Sequence, residues 1–314
     1  MSGGAGSTSV RETSAGTPVD EPIDEYCRRR PAEPLRPFVA RYAGYRQRGV
    51  PPALHRGLPS PFLTLIFTLD EPLVLLAHPD PRQPPGDFGT LLGGLHSAPA
   101  LITHDGAQSG IQVALRPLGA RALLGLPAGE LADLDVPAEA VLGGVCAELR
   151  ARALAAPGWP ERFAILDEIL LRRLAATAAT ATRAATAATP AAPEVRFAWR
   201  QLLRTGGTAR IADLAAETGW SGRHLTSRFR TEIGLTPKAA ARVIRFDRAR
   251  HLLIRQASEK SSGYRLADLA AACGYFDQAH LAREFRALAG CPPSQWITEE
   301  FRNIQAGAWL SEGA

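Results

Sequence analysis

In the last third of the chain, apolar residues recur at three- and four-residue spacing and the runs stop at glycines. Leu266, Leu269 and Ala270 form such a run and end at Gly274, a residue able to take the positive φ of a tight inter-helix turn. Asp277 can then cap a second helix whose Leu281, Phe285 and Leu288 share one face, leaving Gln278, His280, Arg283 and Arg286 to point elsewhere. Two short helices joined by a Gly-containing turn, the second with polar residues outward, describe a helix-turn-helix unit. The pattern occurs twice. Residues 211–237 match this stretch with an offset of 55 up to the turn (Leu214/Leu269, Gly219/Gly274, Trp220/Tyr275) and of 56 beyond it (His224/His280, Leu225/Leu281, Phe229/Phe285, Gly234/Gly290, Pro237/Pro293). A match that changes phase only inside a loop is the mark of an internal repeat.

Between Tyr26 and about Arg116 the pattern is that of short strands. Strands are expected at Phe38 to Tyr45, Phe62 to Leu69, Leu73 to Ala77, Gly89 to Leu95, Ala100 to His104 and Gly110 to Arg116. Strands at this spacing predict a β-barrel or sandwich, and a small barrel can hold one ligand. Phe62, Leu65 and Phe67 are candidate walls of such a pocket. A helix follows Pro117, and two more are expected at Glu139 to Ala155 and Glu161 to Ala176, separated by the helix-breaking APGWP. Their apolar stripes predict a helical hairpin under the barrel. Residues 175–193, rich in Ala, Thr and Pro, read as an interdomain linker, and domains on such a tether communicate only if they also touch or change dimer geometry. Beyond it, a packing helix covers Glu194 to Arg204, Thr208 caps the next helix, and a connecting helix runs from Pro237 to about Arg255 with Val243, Ile244, Leu252 and Leu253 inward.

The stretches LAAETGWSGRHLTSRFRTEIGLTP, RVIRFDRARHLL and LAAACGYFDQAHLAREFRALAGCPPSQW, in that order, make residues 196–305 resemble the DNA-binding domain of AraC/XylS-type transcriptional regulators. The connection from Gln256 to Tyr264 is longer than the family pattern. The resemblance implies an α+β protein: a β-rich, barrel or cupin-like sensor domain with helices, followed by an all-α double helix-turn-helix domain. The expected organisation is a disordered tail (1–20), the sensor with its helical hairpin (21–176), a linker (177–193), the DNA-binding domain (194–305) and a short tail (306–314). The implied partners are a double-stranded DNA operator and an unknown small-molecule effector. RNA polymerase and a second copy of the chain, joined through the helices after the sensor, are further candidates.

Charge sharpens this picture when divided along the chain. Residues 195–302 hold 18 Lys or Arg against 10 Asp or Glu, a balance of +8, while the remainder carries −3 of the overall +5. A basic excess confined to the helix-turn-helix part suits phosphate neutralisation with counterion release.

On each second helix, the positions opposite the Leu/Phe side are the reading candidates. These are Arg223, Thr226, Ser227 and Arg230 in the first unit, and Gln278, Ala279, Ala282, Arg283 and Arg286 in the second. Turn-to-turn alignment with the family places Arg223, Thr226, Ser227, Gln278, Ala279 and Arg283 at base-edge positions. Arg can fork onto guanine and Gln onto adenine, whereas Arg230, His280 and Arg286 are expected on phosphates. A connecting helix of about 28 Å can hold the two reading helices near one DNA turn apart.

Other chemistry is not expected. His55, His78, His96 and His104 lack a metal-binding spacing and are read as loop or edge residues, and the four cysteines show no CxxC. Cys273 falls on the apolar side of a helix and is read as core. No GxSxG, HExxH or Walker loop occurs. No enzyme activity, metal or cofactor is therefore anticipated. The chain has no apolar run of the roughly 20 residues that a membrane span needs and no signal-peptide pattern, so a cytoplasmic location is expected. Two rival readings are a non-specific, architectural DNA binder and an enzyme or carrier β domain tethered to DNA.

Overall fold

The computed structural model describes residues 22–184, 191–258 and 265–303. The two terminal tails and part of the Ala/Thr/Pro stretch and of the Gln256–Tyr264 connection lie outside the described residues.

The N-terminal part is built on two antiparallel sheets. Its strands are β1 (Ile23–Arg29), β2 (Val39–Arg48), β3 (Ala53–Gly57), β4 (Leu63–Thr68), β5 (Leu73–Ala77), β6 (Gly86–Phe88), β7 (Thr90–Gly93), β8 (Ala100–His104), β9 (Ala107–Leu115) and β10 (Asp135–Val136). Six form one sheet in the order β1-β2-β9-β4-β7-β10, and four the other, β3-β8-β5-β6. The six expected strands are present within a few residues of their expected ends. The four others escape the pattern for local reasons. β1 is a charged edge strand with little apolar content, β3 follows Pro51-Pro52, and β6 and β10 are too short for a period to show.

Alternation along β4 gives the two faces of the large sheet different tasks. Leu63, Leu65 and Phe67 are fully buried against the helices, while Thr64 and Ile66 face the other sheet. There Ile66 and Leu91 meet Leu73, Leu75 and Ile102 in a second, smaller apolar cluster. The expected pocket walls Leu65 and Phe67 are therefore core residues on the wrong side of β4. Phe62 instead lies against the Arg41 guanidinium, 5.2 Å from its ring centre.

The helices of this part are α1 (Ala120–Leu124), α2 (Glu139–Leu142), α3 (Val145–Ala155) and α4 (Trp159–Ala184). The stretch expected as one helix from Glu139 is broken by Gly143, whose φ of 62° ends α2. The helix expected to stop at Ala176 continues through the Ala-rich segment to Ala184, with the Thr180 hydroxyl donating to the Ala176 carbonyl. Helices α3 and α4 pack as the expected hairpin. Asp167 fastens α4 to the barrel by accepting from the Tyr42 hydroxyl and the Ala32 amide, both at 2.9 Å. Gly44 is required beneath α4, because a Cβ there would overlap the Trp159 indole. Of the apolar stripes on these helices, Leu142, Leu149, Phe163, Leu166, Ile169 and Leu170 are buried within the chain and Val141 and Val145 half-buried, so the stripes are largely used internally.

The C-terminal part is all-helical: α5 (Pro193–Arg204), α6 (Ile211–Thr218), α7 (Gly222–Ile233), α8 (Pro237–Ser258), α9 (Leu266–Ala272), α10 (Gln278–Ala289) and α11 (Pro293–Asn303). Helices α6 and α7 form one helix-turn-helix unit and α9 and α10 the other, with α8 between them. Thr208 does not cap α6. Arg210 occupies that position, and the Thr208 hydroxyl donates back to the Thr205 carbonyl. Cys273 is fully buried, as its helical position implied. Among the described residues no helix is long and apolar enough to cross a membrane.

Candidate nucleic-acid interface

The two units repeat each other in detail. Gly219 and Gly274 take φ of 70° and 73° in the turns, and Gly234 and Gly290 take 96° and 74° where α7 and α10 end. Ser221 caps α7 by accepting from the His224 amide at 3.2 Å, and Asp277 caps α10 by accepting from the His280 amide at 2.6 Å. An aromatic ring packs edge-on against the histidine of each unit, Trp220 with His224 and Tyr275 with His280. Phe229 is buried beside Trp199, and Phe285 between Phe246 and Trp296.

With Leu225, Phe229, Leu281, Phe285 and Leu288 inward, the reading candidates are turned outward. Arg223, Ser227, Arg230, Gln278, Ala279, Arg283 and Arg286 are exposed; Thr226 and His280 are half-buried. The His280 Nδ1 accepts the Phe276 amide N–H at 3.2 Å. In the neutral ring the proton then sits on Nε2, the nitrogen free to serve as a donor to a phosphate.

The connecting helix α8 is longer than expected, 22 residues, or about 33 Å at 1.5 Å per residue. It is fixed to both units. Arg245 donates to the Gly207 carbonyl at 2.8 Å ahead of α6, and Arg242 forks onto Glu284 of α10 at 2.8 and 3.0 Å. Asp247 is half-buried on α8. Burial alone would raise its carboxyl, but Arg250, followed by His251, holds it well below the usual carboxylate range.

The N-terminal part packs directly against this assembly. Arg121 forks onto the buried Glu232 of α7 with both contacts at 2.9 Å. Gly129 lies so close to α7 that a Cβ would stand 2.2 Å from the Thr231 carbonyl oxygen. At the other end Arg56 of β3 pairs with Glu299 at 2.6 Å, and its amide donates to Glu300 at 3.2 Å. Gly129 and Glu130 border an open groove whose other walls include Arg223, Thr226, Ser227 and Arg230. Contact between the parts was the condition the linker imposed for communication, and the fold meets it.

A cavity of about 230 Å³ lies between the two sheets. It is polar as well as apolar: Arg28, Arg41, Tyr45, His55 and Gln112 line it together with Ile66, Leu75 and Ile102. Arg250 of α8 and Glu300 of α11 complete its wall, so it reaches the helix-turn-helix part. Of the histidines read as loop or edge residues, His78 and His96 do lie in loops and His55 on the edge strand β3, while His104 ends the inner strand β8. His55 and His96 line the cavity, and the buried His78 bonds through Nδ1 to Asp135 at 2.9 Å. Burial, with a smaller contribution from His104, lowers the His55 pKa to about 4; burial likewise lowers that of His96. Their isolated positions in the sequence carried no signal of this clustering.

Residues 214–299 match the family described as a helix-turn-helix domain, HTH_18, and residues 28–137 match a domain of unknown function, DUF6597. The chain therefore carries, at residues 214–299, an AraC-type helix-turn-helix domain on an α+β framework. No similar sequence was found among curated proteins. Among solved structures, an apo variant of ToxT from Vibrio cholerae aligns at 10% identity and a TM-score of 0.48, over 82% of this chain and 96% of that one. The unsaturated fatty acid-bound ToxT of the same species gives 10% and 0.47, over 86% and 97%. The C-terminal domain of AraT, a response regulator from Geobacillus stearothermophilus, gives 20% and 0.31, over 35% and 88%. At these levels nothing of those proteins' ligands carries over to this chain.

Proposed function

We propose that the protein binds a bipartite operator sequence-specifically, with α7 and α10 entering successive major grooves, and that a small molecule in the inter-sheet cavity modulates this binding. The observation that carries the proposal is the pairing of two capped helices, each with its apolar side buried and its Arg, Gln and Ser side chains outward, on one braced strut. A purely architectural binder would need cationic charge on this face and no Gln278. Arg223, Thr226, Ser227, Gln278, Ala279 and Arg283 are assigned to base edges, and Arg230, His280 and Arg286 to phosphates. The cavity supports the effector reading because its wall includes Arg250 and Glu300, so a bound molecule would touch both parts of the chain.

Selection from a random duplex library with the full chain tests the first half. The expected result is enrichment of two half-sites about 10 to 11 base pairs apart. Binding that collapses with salt for every sequence alike would leave only a phosphate binder. On the enriched operator, Arg283→Ala should relax specificity at one base pair by about 1 to 3 kcal/mol. Arg286→Ala should weaken all sequences equally and lower the salt slope. The effector half is tested by thermal-shift screening of small molecules against wild type and a cavity-filling Leu75→Trp variant. Hits that stabilise both equally bind elsewhere.

A further inference from the structure

Superposing the repeat on itself leaves one residue over. Trp220 corresponds to Tyr275 and the cap Ser221 to the cap Asp277, so Phe276 is the single insertion by which the second turn exceeds the first. Its side chain is 92% exposed, whereas among the described residues the other exposed large apolar side chains, Leu54, Leu76 and Leu154, are near half exposed.

The backbone that carries this ring is firmly placed. Gly274 sets the turn with φ of 73°, the Tyr275 amide donates to the Ala270 carbonyl at 2.9 Å, and the Phe276 amide donates to His280 Nδ1 at 3.2 Å. A single exposed apolar side chain is ordinary on a protein surface; what sets this ring apart is its near-complete exposure on a hydrogen-bonded turn at the N-terminal end of α10. Its neighbours suggest a partner. Phe276 immediately precedes the cap of α10 and stands at the same end of the helix as Gln278 and Ala279, the end that leads into the major groove in a helix-turn-helix complex. The apolar group offered by a major groove is the thymine 5-methyl.

We propose that Phe276 contacts the 5-methyl group of a thymine in the half-site read by α10 and so determines specificity at that base pair. This rests on the reading that α10 enters DNA. Phe has no hydrogen-bonding group, so it would prefer thymine without excluding other bases, complementing the Gln278 and Arg283 contacts. The insertion would give the second half-site an apolar reading position that the first lacks.

The test uses the full-length chain and the operator obtained by selection. Each thymine of the second half-site is replaced in turn by uracil, which pairs identically but lacks the methyl. Wild type should lose about fivefold or more in affinity at one such position. Phe276→Ala should bind the thymine operator that much more weakly and show no thymine-over-uracil preference there, and Phe276→Leu should keep part of the preference. Circular dichroism checks that both variants remain folded. Equal binding of wild type to every thymine and uracil operator would overturn the assignment, as would a Phe276→Ala variant that keeps the full preference. An unchanged DNA profile with altered self-association would also overturn it and assign the ring to a protein partner. If wild type enriches no sequence at all, the α10 reading itself fails; enriched half-sites with no methyl effect remove only the role of Phe276.

Discussion

The two helix-turn-helix units are built from the same parts but held differently by the rest of the chain. In the first, the N-terminal part grips the second helix of the unit itself: Arg121 forks onto Glu232 of α7, and Gly129 abuts the Thr231 carbonyl. In the second, the grip of Arg56 falls on Glu299 and Glu300 of α11, one helix removed from α10. Equivalent units can thus differ in how directly a movement of the N-terminal part reaches them. Motion of the N-terminal part would bear on α7 through the Arg121–Glu232 ion pair, whereas its approach to α10 is the apposition of Pro99 to Gly290 and the indirect route through α11.

The largest test of their equivalence is removal of the matching core rings. Phe229→Ala and Phe285→Ala should each cost about 3 to 5 kcal/mol in urea denaturation. A cost for one near 1 kcal/mol would show that its pocket collapses and that the repeat is not energetically symmetric. Next comes the grip on α7. Glu232→Ala leaves Arg121 without its carboxylate partner and should cost about 1 to 3 kcal/mol. Hydrogen exchange should quicken in α7 and stay unchanged in α10; quickening in both would break the comparison.

Acidification should act on the other tether, because β3 carries both His55 and Arg56. The folded His55 pKa of about 4 lies below the ordinary 6.5, so the folded state binds its proton less readily than the unfolded one. Stability from this group is complete above pH 6.5 and is lost as the pH falls toward 4, at about 1 kcal/mol per pH unit. Thermal melts from pH 7 to 5 should fall less steeply for His55→Gln than for wild type. The smallest effect separates the caps. Ser221→Ala and Asp277→Ala should each cost about 1 kcal/mol, with Asp277 the larger because its shorter bond is charge-assisted.

Much of the helical part was legible without a structure. Periodic Leu and Phe positions, stop glycines and the cap Asp277 are local signals, and both helix-turn-helix units fall where those signals put them. The long strands were legible for the same reason, since alternation along β4 or β9 is written in consecutive residues. β1, β3, β6 and β10 were not, because charged edges and two- or three-residue pairings acquire their identity from a neighbouring strand. The break at Gly143 and the run of α4 to Ala184 were also misjudged: a glycine is tolerated in many helices, and an Ala/Thr segment can serve as helix or linker.

Residue identity and local spacing were enough to determine the doubled helix-turn-helix unit and the outward set from Arg223 to Arg286, because each depends on contacts within a few turns of chain. Only the tertiary structure decided that Leu65 and Phe67 face the helices, that His55 and His96 share a cavity with Arg250 and Glu300, and that α7 is held through Glu232. Those facts join residues about 50 to 250 positions apart, and side chains so distant are brought together by packing alone, which no local pattern records.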